Sequence, residues 1–331
     1  MGKDSEIAWT DHTFNPWWGC VRVSPGCQHC YAETFAKRVG QSVWGVDAPR
    51  RFFGNKHWAE PLKWNAAAEK AGTRARVFCA SMADVFEDRR DLDDWRAKLW
   101  SLIEITPWLE WLLLTKRPQN FDKLAPGPWV AGRVPAHVRI GTTVEDQPRA
   151  EERIPALLRI PAANFLSMEP LIENVSLRWL PTWPGGVRGA ALNPNAASTD
   201  HLDGLRRIDW VIVGGESGPG ARPLWVPWVR QVVEQCRDAG VTCFVKQLGA
   251  DVRDRNDAGF TGDFDGSGTA WPEQHEIDDR IESDLDGTRD GYQGAPVRIH
   301  LRDRKGGDPS EWPEDLRVRE FPTSRRQEGT T

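Results

Sequence analysis

The chain has 331 residues, 27% charged and 39% hydrophobic, with 43 Lys and Arg against 48 Asp and Glu for a formal net charge of −5. That size accommodates one large α/β domain or two ordinary ones, and the acidic balance gives no global sign of nucleic-acid binding, although a local basic groove remains open. No run of about 18 apolar residues suggests a membrane span, and the polar opening "MGKDSEIAWTDHT" lacks an apolar signal core, so the cytoplasm is the expected compartment.

The first feature along the chain is "NPWWGCVRVSPGCQHCYAE" at residues 15–33, where Cys20, Cys27 and Cys30 form a C-x6-C-x2-C pattern. In a reducing compartment a tight trio reads first as metal ligands. Structural zinc wants four protein ligands, so His12 or His57 would have to join, His29 being poorly placed inside the C-x2-C loop. A [4Fe–4S] cluster is normally held by four thiolates. Three leave one iron open to a small molecule, which turns an electron-transfer centre into a catalytic one. Inert thiols are the third reading. Pro25 and Gly26 predict a tight turn before Cys27, and "CYAETFAKR" predicts a helix with Tyr31, Phe35 and Val39 on one face. Its amino-terminal dipole favours anionic thiolates. Trp17 and Trp18 are placed to shield such a site. Cys79, Cys236 and Cys243 lie singly in apolar segments and read as small buried hydrophobes.

The next elements alternate. "RVFCAS" predicts a strand, and "DLDDWRAKLWSLIEITP" a helix with Leu92, Trp95, Leu99 and Leu102 at helical spacing and Pro107 as its stop. "EWLLLTKRP" predicts a buried strand, "NFDKL" a brief helix, "HVRIGTTVED" a strand, and "PRAEERIPALLRI" a helix that Pro155 kinks or divides. "ANFLSMEPL" and "IDWVIVGGESG" are strands, "VPWVRQVVEQCRDAG" a helix ended by Gly240, and "VTCFVKQLG" a last strand. Near-continuous apolar strands alternating with helices predict a parallel sheet of six or seven strands covered by helices, as a partial (β/α) barrel or a doubly wound sheet. Residues 181–207 read as an inserted lid loop. Residues 1–250 form the expected barrel domain, and 251–331 a polar extension packing on it. Within the extension, 296–305 is one candidate strand, and Trp312, Leu316 and Phe321 are available to dock.

Chemistry on such folds gathers at the carboxyl ends of strands. There the sequence places Asp84, Thr115, Lys116, Arg117, Glu145, Glu169, Gly214, Gly215, Glu216 and Lys246. "VGGESGPG" fits neither the dinucleotide fingerprint nor a Walker loop, but paired glycines let backbone approach a ligand closely. Lys116 and Arg117 suit a carboxylate or phosphate, and Lys246 is either a partner of Glu169 or a substrate contact. "DFDGSGTAWPEQ" at 263–274 imitates a calcium loop but ends on Gln274 where Glu is needed.

Together, "NPWWGCVRVSPGCQHCYAE", "LTKRP", "SMEPL", "VGGESG" and "VKQLG", in that order, resemble the phage-associated three-Cys-motif family, which is radical S-adenosylmethionine-like. The resemblance spans about residues 9–249, and "EWPEDLRVREFP" also fits. It implies a [4Fe–4S] cluster on Cys20, Cys27 and Cys30 at the mouth of a partial barrel. The open iron would chelate S-adenosylmethionine, whose reductive homolysis gives a 5′-deoxyadenosyl radical. Asp84, Thr115, Lys116, Glu169, Gly214, Gly215, Glu216 and Lys246 become the candidates for binding the cofactor. Phage association brings in a nucleic acid as substrate and a protein as partner. Two other readings stand beside this one. One is a non-radical zinc or structural-cluster binding protein in a phage or defence complex; the other is a barrel hydrolase using Glu169 and Glu216.

Overall fold

The computed structural model describes residue 5 and residues 7–178, 180–181, 201–254 and 297–322. The calcium-like stretch 263–274, most of the loop expected over 181–207 and all but the start of 251–295 lie outside the described residues. Seven strands form the main sheet: β1 (His12–Thr13), β2 (Ala75–Cys79), β3 (Leu109–Thr115), β4 (Val138–Thr143), β5 (Ala163–Met168), β6 (Ile208–Gly214) and β7 (Thr242–Gln247). Every pairing is parallel and joins sequence neighbours, so spatial order equals chain order. A doubly wound sheet reverses its order at a switch point. This one does not, and it curls into a half-barrel left open between β1 and β7.

Helices return the chain between strands. The longer ones are α1 (Tyr31–Arg38), α2 (Glu60–Ala71), α3 (Asp93–Glu104), α4 (Gln147–Leu158) and α5 (Val226–Ala239). In α5, Val226, Val229, Val232 and Cys236 are buried at spacings of three and four, the stripe a surface helix turns to its core. Gly72 and Gly240 end α2 and α5 with φ of 67° and 66°, a left-handed turn at little cost only for glycine. The sequence suggested that Pro155 kinks or divides its helix, but α4 runs through it to Leu158. Asp146 caps α4 by accepting the Arg149 amide at 2.9 Å.

Side chains alternate across each strand. Val77, Cys79, Leu113, Ile140, Leu166, Met168, Val211, Val213 and Val245 face the helices. Trp9, Phe78, Leu112, Phe165, Trp210, Ile212 and Phe244 fill the concave interior. Trp9 lies 4.7 Å from Phe78 and 6.1 Å from Trp210, centroid to centroid. Full burial of each such side chain stabilises by roughly 1.5–3 kcal/mol. Gly141 makes room for this plug, since a Cβ there would come within 2.4 Å of the Phe165 ring. The interior is therefore packed below the strand ends, and polar groups are left to its mouth.

Residues 309–322 dock on the β7 side. Trp312 and Leu316 are fully buried, while Phe321 stays 39% exposed against Trp210 and Phe244. Phe244 and Arg319 form an antiparallel bridge, with the Val245 amide on the Val318 carbonyl at 2.8 Å and the Glu320 amide on the Cys243 carbonyl at 3.0 Å. The strand expected within 296–305 is present as Val297–Ile299, the edge of a small sheet with Val252–Asp254 and Leu224–Trp225. Among the described residues, no helix is long and apolar enough to cross a membrane.

Candidate functional site

The three cysteines stand over the carboxyl ends of β2 to β6. The segment carrying Cys20 is fixed from below. Asn15 Oδ1 accepts the Met82 amide at 2.7 Å, the Gly19 amide reaches the Met82 carbonyl at 3.0 Å, and Gly19 bridges Ala83 in parallel. Gly19 has φ of 117°, and a Cβ there would lie 2.3 Å from the Val43 carbonyl, so only glycine fits. Cys27 closes the 3-10 turn Pro25–Cys27, which rests on Glu145 through the Gly26 amide at 3.3 Å. Cys30 is the N-cap of α1, and the amides of Ala32 and Glu33 face its sulfur. The phenol of Tyr31 donates to the Ser81 carbonyl at 2.8 Å.

Two cations lie under this trio. Arg117 Nη1 and Nη2 are 3.7 and 3.9 Å from Cys20 Sγ. Lys116 is half-buried, reaches no carboxylate within ion-pair distance among the described residues, and sets its charge between Cys30 and Glu145. Burial pushes the Cys20 thiol up to about 12, against the pull of Arg117. Burial also raises Cys30, against the amides of Glu33 and Ala32. Metal binding must therefore displace protons from these sulfurs. Burial works to raise the Glu145 carboxyl, but Lys116 and Arg153 outweigh it and hold it below the usual carboxylate range.

The residues singled out by sequence divide into two groups. Asp84 and Thr115 are buried and occupied with the protein itself. Asp84 Oδ1 accepts the Phe86 amide at 3.0 Å and the Thr115 hydroxyl at 2.7 Å; Oδ2 accepts the Lys116 amide at 3.0 Å and Arg117 Nη1 at 2.8 Å. Gly214 and Gly215 are explained by backbone packing. A Cβ on Gly215 would lie 2.4 Å from the Leu248 carbonyl, and one on Gly214 would lie 3.0 Å from both the Gln247 carbonyl and Glu169 Oε1. Glu216 is a clamp: its carboxylate takes His29 Nδ1 at 2.9 Å, Arg222 Nη2 at 2.8 Å and Arg222 Nε at 3.1 Å. Arg222 Nη1 continues to the Pro25 carbonyl at 3.0 Å, so the glycine-rich loop grips the cysteine loop on both sides of Cys27. Burial works to raise Glu216, but Arg222 and His29 outweigh it and hold it below the usual carboxylate range. Glu169 and Lys246 pair at 3.0 Å, and among the described residues that Glu169 oxygen meets no other donor. Lys116, Glu169 and Lys246 are thus the strand-end groups with chemistry to spare.

Sequence reasoning missed Arg222 and Arg153. The only signal for Arg222 was a lone cation just past a Gly-Pro-Gly turn; Arg153 looked like any polar helix residue, yet it is buried 2.8 Å from Glu145.

The donors around the trio bear on which metal it could hold. His57 Nε2 is 2.9 Å from the Asn15 carbonyl, and its ring stacks on Phe14. His12 stacks on Trp64 at the entry of the sheet, and His29 is held by Glu216. Among the described residues, His29 lies inside the cysteine loop, and its bond to Glu216 uses one ring nitrogen, an arrangement that also orients metal-bound imidazoles. Among the described residues, no three His, Cys, Asp or Glu side chains gather tightly enough to hold a single metal ion. A cluster asks for less convergence, because each thiolate binds a different iron. Three half-buried cysteines, a helix amino terminus and two neighbouring cations fit that anionic group.

A family model described as "Protein of unknown function (DUF5131)" matches residues 4–294. No curated protein and no solved structure matches the chain.

Proposed function

The chain belongs to the DUF5131 family, and from its residues we propose an iron–sulfur enzyme of the radical S-adenosylmethionine type acting on a nucleic acid. The observation that carries this reading is three half-buried cysteines over a half-barrel mouth, with the Arg117 guanidinium beside Cys20 and Lys116 near Cys30.

Cys20, Cys27 and Cys30 would hold a [4Fe–4S] cluster, leaving one iron without a protein ligand. When bound, that group supplies one-electron reduction of S-adenosylmethionine and hence hydrogen-abstraction chemistry. The remaining work belongs to the chain. Lys116 and Arg117 offset the thiolate charge. Glu169 and Lys246 offer an acceptor and a donor for the amino, carboxylate or ribose groups of the cofactor. The Trp9–Phe78–Phe165–Trp210 plug closes the barrel from below and keeps water from the mouth. Glu216 and Arg222 hold the cysteine loop in place.

The test is anaerobic reconstitution with iron and sulfide, then dithionite and S-adenosylmethionine, with 5′-deoxyadenosine read by chromatography. The expected result is a brown protein that forms 5′-deoxyadenosine and loses its colour with Cys27→Ala. An intact cluster that yields none and does not bind S-adenosylmethionine overturns the radical reading. About one zinc with no iron or sulfide would make the protein a metal-containing binding module instead.

A further inference from the structure

The loop after β6 has two faces. One grips the cysteine loop through Glu216 and Arg222. The other, at Gly218 and Pro219, lines a cavity of ≈390 Å3 whose opposite wall is the segment from Arg298 to Arg304. That volume lies at the lower end of small-ligand sites and is too large for a lone phosphate.

The lining mixes the basic side chains Arg298 and Arg304 with apolar Pro219, Val252, Ile299 and Leu301, and His300 and the Asp303 carboxylate also border it. Two carboxylates lie beside these guanidiniums and offset part of their charge. Asp251 is already bound by Arg253 at 2.9 and 3.1 Å, and Arg298 only shares it at 3.2 Å. Asp303 is spent on the amides of Lys305 and Gly307 at 3.0 and 2.8 Å. Arg304 and Lys305 find no carboxylate among the described residues. Arg304 is thus left to a ligand, and Arg298 divides its charge with Asp251, in one concave place a single loop away from the cysteines.

We infer that this cavity binds one nucleotide unit, its phosphate on Arg298 and Arg304 and its base against Pro219, Ile299 and Leu301. Guanidinium groups suit phosphate oxygens, and the apolar wall suits a base face. The inference names a docking point for the nucleic-acid substrate and rests on that part of the proposed function.

The test uses the full chain without iron or S-adenosylmethionine, so it is independent of the cysteines. Fluorescein-labelled single-stranded RNA and DNA 12-mers are titrated by polarisation at low and moderate salt, and uridine monophosphate by calorimetry. The double variant Arg298→Ala/Arg304→Ala should weaken binding about tenfold or more and reduce the salt slope by about one, the single phosphate lost. Arg304→Ala, at an exposed residue, should weaken binding without touching the fold, and Arg298→Lys/Arg304→Lys should retain most of it. Tighter binding of the 12-mer than of the free nucleotide identifies a strand; equal affinity identifies a free nucleotide, and both support the cavity. Oligonucleotide binding unchanged in the double variant overturns the cavity and leaves the substrate class standing. No binding of either probe overturns both. A phosphopeptide that competes as well as the 12-mer makes the occupant a phosphoprotein and overturns the inference. Oligonucleotide binding in this assay, together with no 5′-deoxyadenosine from the reconstituted iron-loaded protein, sinks the radical reading alone.

Discussion

Asp84→Asn tests whether the acid after β2 belongs to a cofactor or to the scaffold. Asp84 accepts four hydrogen bonds, two on each oxygen. Asparagine keeps one oxygen, and its NH2 must face two of the four donors. The Arg117 guanidinium, only 8% exposed, then loses its carboxylate while staying buried. Breaking a buried ion pair from one side costs about 3–5 kcal/mol. With a urea slope near ~3 kcal/mol/M, the unfolding midpoint should fall by about 1–1.7 M. The assay is urea denaturation of the metal-free chain followed by tryptophan fluorescence. Adding Arg117→Met should return part of the loss, because the stranded charge goes with it. An unchanged midpoint with lost affinity for S-adenosylmethionine would refute this reasoning and make Asp84 a ligand contact.

Gly215→Ala should destabilise strongly or prevent soluble expression, since its Cβ would meet backbone at 2.4 Å, whereas Gly54→Ala, with nothing within 4 Å, should leave the urea midpoint nearly unchanged. The Glu216 carboxyl sits below its ordinary value because Arg222 and His29 outweigh burial, so its contribution to stability is present above the usual carboxylate pKa and is lost as pH falls through the depressed value. Arg222→Ala should therefore move the acid-side loss of stability to higher pH, as read from urea midpoints across an acid pH series. Cys20, Cys27 and Cys30 are half-buried while Cys79, Cys236 and Cys243 are buried. A maleimide should accordingly label no more than three thiols in the native metal-free protein, Cys20 and Cys30 slowly because burial raises their thiols, and six after denaturation; rapid native labelling of Cys236 would contradict the packing of α5 on β7.

The half-barrel was legible because six of its seven strands are largely apolar runs that end in polar residues, and most of their helices carry stripes at helical spacing. β1 was not legible. His12–Thr13 is two residues long in a polar segment, and only its pairing with Val77 and Phe78 makes it a strand. α2 was missed as well, because "EPLKWNAAAEKA" has few apolar residues and buries chiefly Trp64, Ala68 and Pro61. At the site, spacing picked out the cysteines, since their separation along the chain is itself the signal. The duties of the charged residues were not readable in the same way. Asp84 and Arg117 are 33 residues apart, and His29 and Glu216 are 187 apart. A carboxylate used by a distant guanidinium looks, in sequence, the same as one offered to a ligand.

The bridge from Phe244 to Arg319 also bears on how the chain is made. An open half-barrel exposes the hydrogen-bonding edge of its last strand, and such an edge pairs readily with other chains. In this protein the edge of β7 is covered by residues 318–320, and the Glu320 carboxylate that meets the Cys243 amide lies 77 residues later. At ~5–20 residues per second, β7 stands uncovered on the ribosome for about 4–15 s after it is synthesised. During that interval the half-barrel is a sheet without its selvage, and slowing translation between residues 247 and 318 should favour aggregation over soluble protein.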